Sequence, residues 1–233
     1  MQVRILASGS TGNAYIVTDS KTTILLDAGI PLKKIQQKMG FGLSSVDGVL
    51  LSHVHSDHSI AVKDLTTRYG INAYMSAETA AELKLGGYRI KPVAHLKQFV
   101  VGTFVVVPFD LPHTNADGTE CKNFGYLLYS TVTKERLLYA TDCMYIPHRF
   151  PPLDYIMLET NYTDDVENDH RIPAVELRRF KSHMSLNTAV DFLKAQDLSK
   201  CKAIYCIHLS NAACKESEIR RRVGEFGKDV IIC

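Results

Sequence analysis

The sequence predicts an α/β fold of the αββα type, in which two facing mixed sheets are covered on their outer sides by helices. Two observations support this prediction: short apolar strands occur in both halves of the chain, and helical segments are interspersed among them. The 233 residues contain no Pro/Gly/Ser-rich linker and no internal repeat. Residues 1–233 are therefore expected to form one domain.

Strands alternate with helices in the first half of the chain. Apolar and β-branched runs predict strands at 3–7, 15–18, 23–27, 48–52 and 73–76. Helices are predicted at 31–39, where Pro31 suits the first helical position, at 59–69, which Gly70 ends, and from the N-cap Ser76 to Leu85.

The second half begins with strands and ends in a mixed pattern. Strands are predicted at 103–108, 124–130, 136–140, 155–158, 203–207 and 229–232, of which the second and third should form a hairpin. Helices are predicted at 185–196 and 215–226.

The composition argues against several classes of protein. The 27 Lys and Arg residues against 25 Asp and Glu give a formal charge of +2, so no strong overall field attracts nucleic acid. The N-terminus has no signal-peptide pattern, and no apolar run approaches the length of about 20 residues that crosses a membrane. The six cysteines form no CxxC pair, which argues against a disulfide scaffold. A soluble, cytoplasmic protein is expected.

Four potential metal ligands fall within six residues, directly after the apolar strand at 49–51. Alternation along extended backbone sends His53 and His55 to the same side. The turn into the next helix can bring Asp57 and His58 to a second point nearby. Such a loop can supply two adjacent metal sites. Imidazole with carboxylate suits zinc, and manganese or iron is also admissible.

Five segments resemble, in order, the five motifs of the metallo-β-lactamase superfamily, whose fold is an αββα sandwich. The second motif is the histidine-rich run, and the others are LLDAG at 25–29, PHT at 112–114, YATD at 139–142 and IHLS at 207–210. The resemblance implies that Asp27 holds the ligand loop in place without binding metal.

The resemblance also implies a centre for two divalent metal ions, zinc or alternatively manganese. The expected ligands are His53, His55 and His113 for one ion, Asp57, His58 and His208 for the other, and Asp142 as the bridge. His55 stands where flavodiiron electron carriers place Glu, and Asp142 stands where many β-lactamases place Cys. The pattern therefore indicates a dinuclear hydrolase rather than a redox protein.

Two further segments resemble phosphodiesterases of this superfamily, such as the tRNA 3′-processing nucleases. Glu159 follows a predicted strand, and Ser182-His183-Met184-Ser185 precedes a predicted helix, where free backbone N–H groups suit phosphate. The resemblance implies that His183 donates a proton or a hydrogen bond at the scissile phosphate and that Glu159 orients it. Asp57 is expected to orient the attacking water or take its proton.

The opening segment 7–15 (ASGSTGNAY) resembles two branches of the superfamily. One is the YycJ-type branch, which includes a proposed 5′-to-3′ DNA exonuclease. The other is the phage-borne anti-Pycsar branch, whose members cleave the 3′,5′-cyclic mononucleotides of bacterial defence. The segments 171–173 and 182–186 are closer to the phage branch.

The predicted substrate is therefore a small nucleotide, a 3′,5′-cyclic mononucleotide including cyclic CMP and UMP, opened to the 5′-monophosphate. The setting would be the host cytoplasm if a phage encodes the chain. The alternatives are a DNA exonuclease, with DNA as partner, and a thioester or lactone hydrolase, which would not need His183. A non-enzymatic scaffold is disfavoured because no ligand is missing.

The charge-dense stretch 163–181 has three interpretations that the sequence does not separate. It can form a lid, the arm of a dimer, or a plain exposed loop. The family resemblance is the reason to expect a homodimer. The basic runs 178–181 and 220–222 favour solvated helix faces over a groove that tracks DNA.

Overall fold

The computed structural model describes residues 1–165, 180, 182–210 and 213–233. The strands are β1 (Gln2–Ala7), β2 (Ala14–Thr18), β3 (Thr23–Leu26), β4 (Gly48–Leu50), β5 (Asn72–Met75), β6 (Ile90–Pro92), β7 (Phe99–Val101), β8 (Phe104–Leu111), β9 (Asn123–Ser130), β10 (Arg136–Ala140), β11 (Tyr155–Glu159), β12 (Ala203–Ile207) and β13 (Asp229–Ile232). The helices are α1 (Leu32–Lys38), α2 (Ser56–Ser59), α3 (Val62–Arg68), α4 (Ala77–Glu82), α5 (Leu186–Lys194) and α6 (Glu216–Gly224).

Two mixed sheets pack face to face, as the sequence predicts. The first sheet has the order β1-β2-β3-β4-β5-β6 and the second has the order β13-β12-β11-β10-β9-β8-β7. In each sheet, the antiparallel neighbours follow one another along the chain, and crossover connections join the parallel strands, β3 to β6 in the first sheet and β10 to β13 in the second.

The core has three layers because each sheet is buried on both faces. Between the sheets lie large side chains such as Tyr15, Leu26, Phe104, Tyr126 and Tyr139. A second apolar cluster lies between the first sheet and α1, α3 and α4, and a third lies under α5 and α6. Burial of each large apolar side chain contributes roughly 1.5–3 kcal/mol. The helices therefore cover the outer faces of an αββα sandwich.

The sequence predicted most of these elements. Ser76 is the N-cap of α4, and its Oγ accepts a hydrogen bond from Thr79 N at 2.9 Å. The single helix predicted at 59–69 was wrong in its bounds, because α2 already begins at Ser56 inside the histidine-rich run and α3 follows at Val62. Strands β6 and β7, of 3 residues each and both at sheet edges, were not predicted.

Further expectations concern membrane spans, the cysteines and the charged segments. Within the described residues, no helix has the length and apolarity to span a membrane. All six cysteines are unpaired, and Cys143 is buried in the cluster under α5. The basic run 220–222 lies on α6, with Arg220 and Arg221 exposed. The segment 171–173 and nearly all of the stretch 163–181, including most of its basic run, lie outside the described residues.

Candidate metal centre

The predicted site residues lie at one edge of the sandwich. In a sheet, the carboxyl ends of parallel strands share an edge, and β8 runs in the same direction as β10 because both are antiparallel to β9. The site residues follow the ends of strands from both sheets: His53 follows β4, His113 follows β8, Asp142 follows β10 and His208 follows β12, while Glu159 ends β11.

Three histidines bring nitrogens together at the first position. Nδ1 of His55 lies 3.0 Å from Nε2 of His53 and 3.3 Å from Nε2 of His113. Tetrahedral zinc, with Zn–N distances of about 2.0–2.1 Å, places its nitrogen ligands about 3.3 Å apart. These three nitrogens and a carboxylate oxygen of Asp142 lie within 4.8 Å of one another. The spacing suits one metal ion.

A second group forms beside the first. Nε2 of His58 lies 3.5 Å from Asp57 Oδ2, and Nε2 of His208 lies 3.6 Å from the same oxygen. Oδ1 of Asp142 lies 3.1 Å from the His58 nitrogen and 3.4 Å from the His208 nitrogen. Two nitrogens and two carboxylates form a mixed donor set that accepts zinc or manganese.

Asp142 lies between the two groups. Its Oδ1 faces the second group, while its Oδ2 lies 3.9 Å from Nε2 of His53 in the first. The side chain is buried, and the neighbouring Thr141 hydroxyl donates to Oδ1 at 2.7 Å. Asp142 thus has the placement of a carboxylate that can contact both positions.

Each histidine of the two groups has an oxygen near its other nitrogen. The partners are Ser52 Oγ for His53 at 2.9 Å, Asn115 Oδ1 for His55 at 2.9 Å, Asp27 Oδ2 for His58 at 2.7 Å, the Ser182 carbonyl for His113 at 3.2 Å and Glu159 Oε1 for His208 at 3.1 Å. An N–H donated outward leaves the inward nitrogen with a lone pair, which is the arrangement of metal-binding histidines.

Asp27 holds the ligand loop, as the sequence predicts. It is fully buried and accepts hydrogen bonds from Ser52 N at 2.7 Å, Ser52 Oγ at 2.9 Å and Tyr139 OH at 2.6 Å, besides the one from His58. These bonds tie the end of β4 to β3 and to the opposite sheet.

Glu159 and His183 form a hydrogen-bonded pair at the edge of the second group. Nδ1 of His183 donates to Glu159 Oε1 at 2.7 Å, and the buried carboxylate is also held by the backbone N–H groups of Cys143 and Met184. The His183 ring stacks on His208 with centroids 5.3 Å apart. Because the His183 side chain is 19% exposed, it can be reached from solvent.

A buried atom without a partner tests whether a metal fits. Among the described residues, His208 Nε2 is buried and has no hydrogen-bond partner. An unsatisfied buried nitrogen is costly, and a metal ion between Asp57 and Asp142 would satisfy it. The residues present therefore fit a metal at this position.

The pKa shifts show how strongly the carboxylates act on these imidazoles. Burial opposes a charge on His208, but the Asp142 carboxylate, with Asp57 and Glu159, raises its pKa to about 10. Burial also opposes a charge on Asp142, yet His208 and His58 hold its pKa well below the ordinary value. Burial lowers the pKa of His113 to about 4, so that this imidazole is neutral at physiological pH.

The turn 8–13 contacts the segments that carry His58 and His208, a role that the sequence alone does not reveal. The amide Nδ2 of buried Asn13 donates to the Asp57 carbonyl at 3.3 Å and lies 3.1 Å from His58 Nε2. Ser8 Oγ accepts from the His208 backbone N–H at 2.9 Å. The sequence of this segment shows only its family resemblance, because its contacts depend on residues far along the chain.

Three curated proteins are similar to this chain. Exodeoxyribonuclease WalJ of Streptococcus pneumoniae is 38% identical over 78 residues, which are 32% of this chain and only 29% of that protein. Exodeoxyribonuclease YycJ of Bacillus anthracis is 28% identical over 224 residues, 88% of this chain and 81% of that protein. Anti-Pycsar protein Apyc1 of Paenibacillus harenae is 33% identical over 64 residues, 25% of this chain and 27% of that protein.

Solved structures and a family model agree on the fold. The metallo-β-lactamase fold protein YhfI of Bacillus subtilis superposes with a TM-score of 0.73 at 16% identity, covering 99% of this chain and 95% of that one. Zn(2+)-bound PqqB of Methylobacterium extorquens gives a TM-score of 0.73 at 17% identity, covering 100% and 98%. The model of the Beta-lactamase superfamily domain matches residues 22–208. The chain therefore belongs to the β-lactamase superfamily and is a hydrolase of the metallo-β-lactamase fold.

Proposed function

We propose that this chain is a phosphodiesterase that uses two divalent metal ions, zinc or manganese. The observation that carries the proposal is the 2.7 Å hydrogen bond between His183 and buried Glu159, next to the two ligand groups. A proton donor beside a metal centre suits a reaction in which an alkoxide leaves from phosphorus.

The proposed ligands are those named by the sequence: His53, His55, His113, Asp57, His58, His208 and the bridging Asp142. Metal ions at these positions would lower the pKa of a water molecule and polarise the phosphoryl oxygens. Asp57, with 26% of its side chain exposed, can orient that water or take its proton. Its pKa is held low, against the effect of burial, by the adjacent His208 and His58 imidazoles, so that it is present as the carboxylate.

His183 is proposed as the general acid. Burial disfavours its charged form, but the adjacent Glu159 carboxylate and Asp142 raise its pKa above the ordinary value. It therefore holds a proton more readily at neutral pH than an ordinary histidine does. Nδ1 of His183 donates a hydrogen bond to Glu159, which leaves Nε2 of His183 to protonate the departing sugar oxygen. Glu159 is then a positioning residue for the proton donor.

We further propose 3′,5′-cyclic mononucleotides, including cyclic CMP and UMP, as substrates that are opened to 5′-monophosphates, as in phage evasion of Pycsar defence. Support comes from the similarity to the Apyc1 protein and from the net charge of only +2, which does not suit tracking along a polymer. In a cyclic phosphodiester, both ester oxygens belong to one ribose, so a compact site can align attack and departure.

A DNA exonuclease is the second candidate. It is favoured by the similarity to the Bacillus anthracis enzyme, which extends over 88% of this chain. The thioester or lactone alternative is disfavoured because it gives His183 no role. The expected homodimer and the cytoplasmic location stay predictions.

A hydrolysis panel tests the proposal. Zinc- or manganese-loaded protein is incubated with cyclic mononucleotides, with linear and duplex DNA and with thioesters, and the products are separated by chromatography. We expect cyclic CMP and UMP to yield 5′-monophosphates and the Asp142→Ala variant to yield nothing. Shortening of duplex DNA from its 5′ ends, with the cyclic nucleotides intact, would favour the exonuclease. Cleavage of the thioester alone would exclude a phosphodiesterase.

A further inference from the structure

His55 differs from the other candidate ligands in what holds its outer nitrogen. Its Nδ1 faces the nitrogens of His53 and His113, and its Nε2 lies 2.9 Å from Oδ1 of Asn115. The carboxylates that hold His58 and His208 are fully buried. Asn115, by contrast, begins a surface turn, residues 115–120, between β8 and β9. The orientation of His55 therefore depends on a solvent-exposed segment.

Hydrogen bonds within the turn fix which way the Asn115 amide faces. The Thr119 hydroxyl donates its only hydrogen to Asp117 Oδ1 at 2.6 Å. Toward Asn115, at 3.0 Å, that hydroxyl can then only accept. The amide Nδ2 must face Thr119 as the donor, and Oδ1 must face His55. Asn115 N also donates to the Thr119 carbonyl at 2.8 Å, which closes the turn.

An acceptor at this place selects one tautomer of His55. A neutral imidazole carries its hydrogen on one of its two nitrogens, and the hydrogen bond made by one nitrogen decides the state of the other. Facing Asn115 Oδ1, Nε2 must be the donor, and Nδ1 keeps its lone pair. The opposite tautomer would place a lone pair against the amide oxygen and a hydrogen between His53 and His113.

We infer that Asn115, itself held by Thr119 and Asp117, is a positioning residue that keeps His55 Nδ1 available to a metal ion. This inference rests on the proposed metal centre. It names the group that sets the affinity for a metal ion at the position formed by His53, His55 and His113. The effect is local, because the second group of ligands has separate partners in Asp27 and Glu159.

Three variants separate the effect of the acceptor oxygen of Asn115 from the effect of its side-chain shape. Asn115→Leu removes the acceptor at similar size, Asn115→Asp keeps an acceptor oxygen, and Thr119→Val removes the hydroxyl that orients the amide. Zinc is titrated against a chromophoric chelator to obtain two dissociation constants. In Asn115→Leu, one constant should rise about 10–100-fold and the other stay unchanged, the range found when a group behind a metal ligand is lost. Asn115→Asp should bind at least as tightly as wild type, and Thr119→Val should be intermediate.

A second readout is independent of metal and of activity. Nitrogen-15 NMR of the imidazoles in chelator-treated protein should show His55 with its hydrogen on Nε2 in the wild type and in Asn115→Asp, and a mixture of tautomers in Asn115→Leu. Asn72→Leu is the matched control. Asn72 is a half-buried asparagine at the start of β5, away from the carboxyl ends of the strands where the site lies, and its side chain accepts a hydrogen bond from Arg89. It should change neither the constants nor the His55 signal.

Unchanged zinc constants and an unchanged tautomer in Asn115→Leu would overturn the inference, whatever substrate the enzyme hydrolyses. Equal weakening in Asn115→Leu and Asn115→Asp would also overturn it, because the acceptor would then not matter. If the wild type binds zinc and hydrolyses no phosphodiester, the proposed function fails, while the zinc constants and the tautomer still decide the role of Asn115.

Discussion

Three site residues adopt left-handed backbone conformations within two residues of the strand that precedes them. The φ angles are 55° at Asp27, 48° at Asp142 and 53° at His208. Such a conformation costs a non-glycine residue about 1–3 kcal/mol and persists only where the surroundings fix it. At Asp142, the Asn123 side-chain amide donates to the carbonyls of Thr141 and Asp142 at 3.0 and 2.7 Å. The left-handed backbone conformation turns the side chains of these residues toward the metal-ligand groups.

Replacement of His183 by alanine should separate proton donation from metal binding. Because His183 touches Glu159 and stacks on His208 without belonging to the two proposed ligand groups, kcat is expected to fall roughly 10²–10⁴-fold, the range for loss of a general acid. Metal content should remain that of the wild type. Steady-state kinetics on the substrate found in the panel, with elemental analysis of the same sample, measure both.

His95→Ala is the control for the His183 variant, since His95 is a half-exposed histidine outside the cluster that accepts from Asp110 N. It should change neither kcat nor metal content. Loss of metal from His183→Ala would make His183 a ligand instead. This outcome has to be tested because His183 lies close to Asp142, Glu159 and His208.

At the scale of residues, the sequence predicted the inward-facing side chains and, of the groups behind them, only Asp27 and Glu159. The run from His53 to His58 is recognisable because its spacing on a short loop is itself the signal. Asn13 and Asn115 are isolated asparagines in the sequence. Asn13 contacts His58, 45 positions along the chain, and Asn115 contacts His55, 60 positions back. Only the folded chain brings these residues close.

At the scale of elements, the ligand loop is fixed by close backbone packing at Gly29. A Cβ built on Gly29 would lie 1.6 Å from the Asp57 carbonyl oxygen and 2.6 Å from the His58 nitrogen. These are backbone atoms of α2, so neither can move without displacing the helix that carries Asp57 and His58. The glycine in the segment 25–29 is thus required for the close approach of α2.

Gly29→Ala should therefore weaken both folding and metal binding. Overpacking of a filled interior costs about 1–3 kcal/mol, and the backbone contacts here place this change at the upper end of that range. The free energy of unfolding, measured in urea, should fall by about 3 kcal/mol, and zinc affinity should fall with it. Gly86→Ala is the matched control, because a Cβ at Gly86 has no neighbour within 4 Å. Equal stability of the two variants would contradict the packing argument.

The elements that sequence reasoning located well are those with their own local signals. Strands such as β10 and β12 are apolar runs bounded by polar segments, and α4 and α5 begin at serine N-caps. Strand β6 is Ile-Lys-Pro and β7 is Phe-Val-Val, too short to show alternation. Each is an edge strand that exists through pairing with a neighbour, which is a tertiary effect.

At the scale of the whole molecule, the candidate centre joins the two sheets. His53, His55, Asp57 and His58 lie in the loop and helix α2 after β4 of the first sheet, whereas His113, Asp142 and His208 follow strands of the second. Each of the two ligand groups contains residues from both sides. Metal ions at these positions would therefore hold the sheets together at one edge of the sandwich.

Removal of metal should for this reason lower the melting temperature of the whole protein. A ligand that binds only the folded state at about 1,000 times its dissociation constant stabilises that state by about 4 kcal/mol. For a chain of this size, this corresponds to roughly 8–16 °C. Differential scanning calorimetry with and without a chelator measures the shift. The Asp142→Ala variant, which loses the residue shared by both groups, should show almost none of it.

The difference in melting temperature between metal-loaded and chelator-treated protein should also widen between pH 6 and pH 8. Protons compete with metal for the His208 nitrogen, whose pKa is raised to about 10, so that higher pH favours the metal. In chelator-treated protein the same raised pKa acts in the opposite direction: it stabilises the fold fully below the ordinary histidine value of about 6.5, and this contribution declines as pH rises toward 10. These are two sides of one proton linkage, and it widens the gap between metal-loaded and chelator-treated protein as pH rises. A gap that stays constant or narrows over this range would contradict metal binding through His208.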